Sequence, residues 1–312
     1  MDIPTRAALP LIAIAGPTGS GKSALAIRVA QTFSGEIVNC DSLQLYRGFD
    51  IGTAKTPPAA RGGIPHHLLD VLSPEARYSA GDYARAARPV IADIVARGRL
   101  PVIVGGTGFY LRALLDGLPV LPGREDALRE RLAARERRRP GSLHRLLTRL
   151  EPQAAARIHP RDVQKTLRAL EVRLLTGGAL PPRDQAEALT GYAPLILGLS
   201  PDRARLAQAI HTRTQAMFDA GLIEEARRLL ASGCTGEEKP FESLGYKQAL
   251  AYLRGELSLR EAIEQCEIQT RQYAKRQWTW FRRDPRVRWL EGFGDEPAVV
   301  DKALGLVRAH LS

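Results

Sequence analysis

The chain has 312 residues, a formal net charge of +11, and 44% hydrophobic and 25% charged residues, which are ordinary proportions for a globular protein with a substantial core. It has no apolar run near ~18 residues, which argues against a membrane span. Its three cysteines, Cys40, Cys234 and Cys266, are too scattered to build a disulfide framework or a zinc site. No secretory signal is visible, so we expect a cytoplasmic protein, and the positive charge makes nucleic acid the first partner to consider.

The first motif lies between a strand-like run at residues 11–15 and a helix-like run at residues 24–33. It matches G-x-x-x-x-G-K-[ST], a phosphate-binding loop whose backbone N–H groups point inward at the start of a helix. We expect Lys22 to reach a terminal phosphate oxygen and the Ser23 hydroxyl to hold Mg²⁺. The motif predicts a polyphosphate ligand without identifying a nucleoside triphosphate. Its residues are Gly16, Pro17, Thr18, Gly19, Ser20, Gly21, Lys22 and Ser23.

Two further strand-like runs, at residues 36–40 and 101–104, end in polar residues. Asp41 follows the first, and a Gly-Gly-Thr turn that contains Thr107 follows the second. Ligands of parallel sheets bind at the carboxyl ends of the strands, so Asp41 is a candidate to position or deprotonate an acceptor. A turn aspartate and an ordinary strand-to-helix turn remain the alternatives. Residues 67–72 are a candidate third strand.

The pattern of elements predicts two domains. Strand and helix runs alternate up to residue 115, whereas residues 124–176 show only helical patterning, and a strand returns at residues 194–199. We therefore predict an α/β P-loop NTPase-like parallel sheet, formed by residues 1–116 and 193–312, with an all-helical insertion domain at residues 117–192. Residues 124–183 carry 15 lysines and arginines against 7 acidic residues, so most of the positive charge belongs to the insertion.

The remaining chain is mostly helical, with a long helix at residues 258–283. At 100° per residue, Arg271, Lys275, Trp278 and Arg282 share one face of that helix. A basic face that includes an aromatic ring suits RNA phosphates with a base or sugar stacked alongside, although a solvated surface with Trp278 half packed has the same pattern.

A Walker B strand, with four apolar residues followed by Asp, is missing from the expected place. The best buried run, residues 101–104, ends in Gly-Gly-Thr, and Asp70 follows only two leucines. This weakens the interpretation as an ATP hydrolase. It favours a reaction in which diphosphate is the leaving group held by the loop.

Six segments together resemble the tRNA dimethylallyltransferase family, in the family's order and over residues 11–289. They are GPTGSGKS, DSLQLYRGFDIGTAK, VGGTGFYLRAL, RIHPRDVQKTLRALEV, SLGYKQ and TRQYAKRQWTWFR. The absence of the C-terminal zinc finger of eukaryotic members indicates a bacterial type. Departures are modest: Gly19 and Ser23 preserve the mechanics of the loop, and Lys165 keeps the charge of a frequent arginine but loses its planar fork.

The resemblance implies transfer of a dimethylallyl group from dimethylallyl diphosphate to the exocyclic amine of the adenosine 3′ of the anticodon, with release of diphosphate. The phosphate-binding loop would hold the diphosphate with Mg²⁺, and Arg213 would clamp it. Asp41 would act as general base, and Thr107 would lie near the target base. We expect a monomer without membrane attachment.

The resemblance further implies that the anticodon stem-loop is bound by the helical insertion and by several segments of the core. The expected RNA-binding residues are Asp41, Ser42, Leu43, Gln44, Thr107, Arg129, Gln164, Lys165, Thr166, Leu167, Arg168, Glu242, Ser243, Leu244, Gly245, Tyr246, Lys247, Arg271, Lys275, Arg276, Gln277, Trp278, Thr279, Trp280, Phe281 and Arg282.

Three alternatives stay open. A P-loop small-molecule kinase explains the loop and Asp41 but leaves the basic insertion and the missing Walker B strand unexplained. A prenyltransferase acting on free adenylate has less need of the insertion. A non-catalytic RNA-binding module does not need Lys22, Ser23 and Asp41.

Overall fold

The structure, a computed structural model, describes residues 8–178 and 187–312. It divides into two compact units, one formed by Met1–Leu115 with Leu189–Ser312 and the other by Asp116–Ala188. The sequence predicted the insertion at residues 117–192. The part of its Gly/Pro-rich end at residues 179–186 lies outside the described residues, as do residues 1–7.

The larger unit is built on one parallel sheet. Its strands are β1 (Leu9–Ala15), β2 (Gly35–Asn39), β3 (His66–His67), β4 (Leu100–Val104), β5 (Tyr192–Ser200) and β6 (Val287–Glu291), in the spatial order β3-β2-β4-β1-β5-β6. Crossovers between parallel strands require helices on the faces of the sheet, so the strands are buried and apolar. The predicted α/β parallel-sheet class is confirmed.

Helices cover both faces of this sheet. They are α1 (Lys22–Thr32), α2 (Ala80–Ala96), α3 (Gly108–Leu115), α8 (Arg203–Asp219), α9 (Leu222–Ala231), α10 (Tyr246–Leu253), α11 (Leu259–Phe281) and α12 (Pro297–Leu311), with short 3₁₀ turns at Pro58–Ala60 and Lys239–Glu242. On one side Leu25 and Val29 of α1 and Val307 of α12 pack on Ile12 and Val102 of the sheet. None of the helices in the described ranges has the length and apolar composition that a membrane span needs.

The smaller unit is entirely helical within its described residues. It contains α4 (Asp126–Arg138), α5 (Ser142–Leu150), α6 (Pro152–Arg157) and α7 (Val163–Thr176), which share a core of Leu132, Leu143, Leu147 and Leu170. Gly141 adopts φ 79°, which a glycine adopts without steric cost and which separates α4 from α5.

One predicted element needs correction. Residues 67–72 were expected to form a strand, but only His66–His67 pair with β2, because Leu68 and Asp70 adopt φ of 58° and 55°. The Asn39 side chain holds this turn by donating to the Leu68 carbonyl at 2.9 Å. Farther along the chain, residues Lys239–Glu242 form a 3₁₀ turn and α10 begins at Tyr246, directly after Gly245 with φ 93°.

Candidate functional site

Hydrogen bonds within the protein hold the phosphate-binding loop in shape. The Ser20 hydroxyl donates to the Pro17 carbonyl at 2.8 Å, and the Gly294 N–H donates to the Ser20 carbonyl at 2.9 Å. Gly21 precedes α1 with φ 83°, and a Cβ there would lie 2.8 Å from the Gly294 nitrogen, so only glycine fits. The loop therefore leads directly into the amino end of α1, where the helix dipole favours an anion.

Two cations accompany the loop. The Lys22 Nζ donates to the Pro17 carbonyl at 2.7 Å, and both Lys22 and Arg213 of α8 line the same cavity. Burial and the nearby charge of Arg213 lower the pKa of Lys22 to about 7, and the Asp41 carboxylate partly opposes this. Burial also lowers the pKa of Arg213. Two like charges desolvated side by side are unfavourable until an anion binds, which indicates a site for a multiply charged anion.

Asp41 and Thr107 stand at the carboxyl ends of neighbouring strands β2 and β4. The Asp41 Oδ1 accepts from the Leu43 N–H at 2.9 Å, which fixes the carboxylate at the start of its loop. The Thr107 N–H donates to the Cys40 carbonyl at 3.3 Å, and the Thr107 Oγ1 accepts from the Ser42 N–H at 3.1 Å. Thr107 is therefore tied to the residues on either side of Asp41.

The cavity has a volume of about 1070 Å³, and both the phosphate-binding loop and the Asp41 segment line it. The Asp41 carboxylate thus shares an open volume with the loop that carries Lys22 and Ser23. The predicted core residues Ser42, Leu43, Gln44, Glu242, Ser243, Leu244, Arg276 and Gln277 line the same cavity.

Ser23 is the candidate Mg²⁺ ligand. It is exposed to the cavity beside Lys22, and the described residues contain no group of three or more His, Cys, Asp or Glu side chains that could hold a metal ion. Asp70 is not a Walker B substitute, because its carboxylate accepts from Lys55 Nζ at 2.5 Å. The residues present fit an ion bound by one hydroxyl, with phosphate oxygens and water as the other ligands, as Mg²⁺ commonly is.

Helices α8 and α11 line the cavity, and of their cavity-facing residues the sequence predicted only Arg213, Arg276 and Gln277. Cys266, Thr270 and Tyr273 of α11 face the cavity together with Ile210 and Met217 of α8. Their spacings of three and four residues are a helical stripe that could have been recognised from the sequence. Burial raises the pKa of Tyr273 well above its usual range, and the Asp41 charge adds to this.

Five of the predicted RNA-binding residues have buried side chains, and for these residues an RNA contact stays a prediction. The Tyr246 hydroxyl is fully buried, where it contacts the Glu225 carboxylate and accepts from the Gly52 N–H at 3.2 Å. In the helical unit the Thr166 hydroxyl donates to the Asp162 carbonyl at 2.9 Å. The five residues are Thr166, Leu167, Tyr246, Gln277 and Phe281.

Trp278 is half-buried, as in the alternative interpretation of this helix face, and its stacking role stays a prediction. Two guanidinium groups contact its ring, with the Arg282 Cζ 4.5 Å and the Arg203 Cζ 5.0 Å from the ring centroid. The indole N–H donates to the Ser200 hydroxyl at 3.2 Å. These contacts orient Arg203 and Arg282 beside the ring at the surface.

In the helical unit two of the predicted RNA-binding arginines share one buried carboxylate. Glu171 of α7 is completely buried and accepts from Arg129 at 3.0 Å and from Arg168 at 2.7 Å. These pairings lower the pKa of Glu171 against the opposing effect of burial. Gln164 and Lys165 of the same helix are exposed.

Comparisons with known proteins agree with this architecture. A family model described as IPP transferase matches residues 44–284. A tRNA dimethylallyltransferase of Solibacter usitatus is 57% identical over 97% of this chain and 99% of its own length. A tRNA dimethylallyltransferase of Koribacter versatilis is 50% identical over 96% of this chain and 98% of its own length. The crystal structure of a full-length tRNA isopentenylpyrophosphate transferase from Bacillus halodurans is similar, with a TM-score of 0.72 and 36% identity over 97% of this chain and 96% of that one. The crystal structure of a eukaryotic dimethylallyltransferase acting on tRNA has a TM-score of 0.76 and is 29% identical, over 91% of this chain and 74% of that one. The chain therefore belongs to the IPP transferase family, whose members here are tRNA dimethylallyltransferases.

Proposed function

We propose that this chain transfers a dimethylallyl group from dimethylallyl diphosphate to the exocyclic amine of the adenosine 3′ of the anticodon in tRNA. The observation that carries the proposal is the shared cavity in which Lys22, Arg213 and the phosphate-binding loop face the Asp41 carboxylate. One side suits a departing anion and the other a nucleophile that must lose a proton.

On the donor side, the bond between the allylic carbon and the diphosphate oxygen breaks, and its electron pair stays with the diphosphate. Lys22, Arg213 and the loop amides stabilise the negative charge that develops on that oxygen. A Mg²⁺ ion held at Ser23 would supply further positive charge to the same oxygens. The apolar side chains of Ile210 and Met217 on the cavity wall suit the five-carbon group.

On the acceptor side, the adenine amine forms a new bond to the allylic carbon and releases one proton. Asp41 is placed to accept that proton, and the hydrogen bonds to Leu43 and Thr107 hold its loop in place. The adenosine must leave its stack in the anticodon loop to enter the cavity. The proton ends on Asp41, so atoms and charge balance without any further reactant.

Several arginines and lysines supply the affinity for RNA in this proposal. Residues 124–183 of the helical unit carry 15 lysines and arginines against 7 acidic residues, and α11 presents exposed Arg271, Lys275 and Arg276 on the core. Phosphate contacts of this kind are independent of sequence and hold the RNA while the base is extruded. The proposed enzyme acts as a monomer in the cytosol.

The function is tested by incubating the purified protein with tRNA and dimethylallyl diphosphate and analysing the nucleosides by mass spectrometry. We expect a dimethylallyl adduct on one anticodon-loop adenosine and its loss when EDTA removes Mg²⁺. Adducts on free adenylate alone would favour the cytokinin-type prenyltransferase, and ATP consumption without RNA would favour the kinase. Binding of tRNA without any product would favour the non-catalytic module.

Replacing both Arg271 and Lys275 by alanine should weaken tRNA binding and flatten its salt dependence by about two charges. Arg271 also pairs with Glu267 at 3.0 Å. Glu267→Gln breaks this ion pair but keeps Arg271, so it separates the loss of the ion pair from the loss of RNA contact. The slope of log Kd against log salt concentration is the measurement. An unchanged slope would remove this helix face from the RNA interface.

A further inference from the structure

Gln277 of α11 joins two loops that are far apart in the sequence. Its side chain is 5% exposed. The Oε1 atom accepts from the Thr18 N–H at 2.8 Å, and the Nε2 atom donates to the Gly106 carbonyl at 2.9 Å. Thr18 belongs to the phosphate-binding loop, and Gly106 directly precedes Thr107 in the turn after β4.

The chemistry of this bridge requires a primary amide. A backbone N–H can only donate and a carbonyl can only accept, so the two partners fix which way the Gln277 amide faces. A carboxylate could serve Thr18 but not Gly106, and a methionine of similar length could serve neither. A Cβ on Gly106 would lie 2.1 Å from the Gln277 Nε2, so the turn also leaves space for the amide.

We propose that Gln277 is a positioning residue that sets the diphosphate loop and the Thr107 turn in register with each other. This inference rests on the proposed function, because it assigns the diphosphate donor to the phosphate-binding loop and the target adenine to the Thr107 turn. It replaces the expectation that Gln277 contacts RNA with a role inside the cavity.

The bridge contacts both the donor side and the acceptor side of the proposed reaction. The Thr18 N–H is held back from the ligand, and the Ser20 N–H donates to the Pro17 carbonyl at 3.4 Å, so the amides of Gly19, Gly21, Lys22 and Ser23 are the ones left to surround an anion. The Gly106 carbonyl fixes the turn from which Thr107 holds the Ser42 N–H beside Asp41. Loss of the bridge frees both loops, so anion affinity and turnover should fall together.

The test uses Gln277→Met in the full-length protein, with inorganic pyrophosphate as the probe in isothermal titration calorimetry. We expect pyrophosphate to bind about tenfold more weakly, since two buried polar groups lose their partner and the loop must be reordered on binding. The KM for dimethylallyl diphosphate should rise and kcat should fall, whereas the Kd for tRNA should stay within about twofold.

Gln277→Glu provides a second variant whose effect depends on pH. At neutral pH its carboxylate repels the Gly106 carbonyl and the bound anion, so pyrophosphate affinity should fall further than in Gln277→Met. At pH 5 the protonated acid can accept from Thr18 and donate to Gly106, so affinity relative to the wild type should recover. A merely structural defect would not recover in this way.

Gln248→Met is the matched control, because this buried glutamine accepts from the Gly245 N–H at 2.9 Å and donates to Gln269 at 3.1 Å, outside the bridge. It should lower the Tm but leave pyrophosphate affinity unchanged. Gly106→Ala should weaken pyrophosphate binding like Gln277→Met, and the two changes together should be less than additive.

The inference is overturned if Gln277→Met and Gln277→Glu bind pyrophosphate as the wild type does, or if tRNA affinity alone falls. It is also overturned if the two changes at Gly106 and Gln277 add fully. Pyrophosphate binding is measured without prenyl transfer, so these outcomes are separate from the failure of the proposed function, which would appear as a wild-type protein that forms no prenylated nucleoside.

Discussion

Replacing Asp41 by asparagine should lower prenyl transfer by roughly 10²–10⁴-fold while tRNA binding survives. The asparagine can keep an oxygen for the Leu43 N–H, which Asp41 Oδ1 accepts at 2.9 Å, so the loop retains its anchor. What disappears is the ability to take the proton that the adenine amine loses. Single-turnover prenylation and a separate tRNA-binding assay measure the two effects.

Asp41→Ala is the companion to this variant, because it removes both the base and the Leu43 anchor. It should be at least as slow as Asp41→Asn, and it should also disturb the loop that Ser42 and Thr107 share. If Asp41→Asn prenylates tRNA at the wild-type rate, Asp41 is not the general base and the carboxylate serves only the turn.

Replacing Lys22 by methionine should lower prenyl transfer by about 10²–10³-fold, the cost of removing one preorganised donor to developing negative charge. The methionine keeps the length of the side chain and loses the charge beside Arg213. Pyrophosphate affinity should fall as well, because the leaving group is the anion that Lys22 contacts in this proposal. Lys302→Met on the exposed surface of α12 is the matched control and should leave both quantities unchanged.

The pKa of Lys22 adds a pH signature to the same variant. Lys22 has a pKa of about 7 in the free protein, and a bound anion stabilises the charged amine and raises that value. Above pH 7, pyrophosphate binding must therefore be accompanied by uptake of a proton by Lys22, and the affinity for pyrophosphate should fall as pH rises. Pyrophosphate also titrates, so the uptake is taken as the difference between the wild type and Lys22→Met. Equal proton uptake in both proteins would contradict the assignment.

The predictions from the sequence agree best with the structure where the pattern of strands and helices and the types of residue point to the same feature. The phosphate-binding loop was predictable because three glycines, a lysine and a serine stand at fixed offsets between an apolar strand and a helix. The all-helical insertion was predictable because residues 124–176 lack the short apolar runs of strands. Asp41 and Thr107 could be brought together because parallel strands end at one edge of a sheet.

The helix-wheel interpretation of α11 was less successful, and the reason is physical. A helical wheel correctly groups residues that lie on the same side of the helix, but it does not show which side packs against a neighbouring element. Arg203 and Arg282 contact the Trp278 ring, while the side of α11 that lines the cavity bears Thr270, Tyr273 and Gln277. Tyr246 and Thr166 were assigned to RNA through a matching segment, although packing buries their side chains.

By itself the sequence determined the fold class, the anion-binding loop and the pairing of a carboxylate with it, because each depends on short-range geometry or on the topology of parallel strands. Only the tertiary structure decided which side of α11 faces the cavity and that Gln277 joins Thr18 to Gly106 across separations of 259 and 171 residues. Contacts between such distant residues depend on how whole helices pack, and no local spacing in the chain encodes that choice.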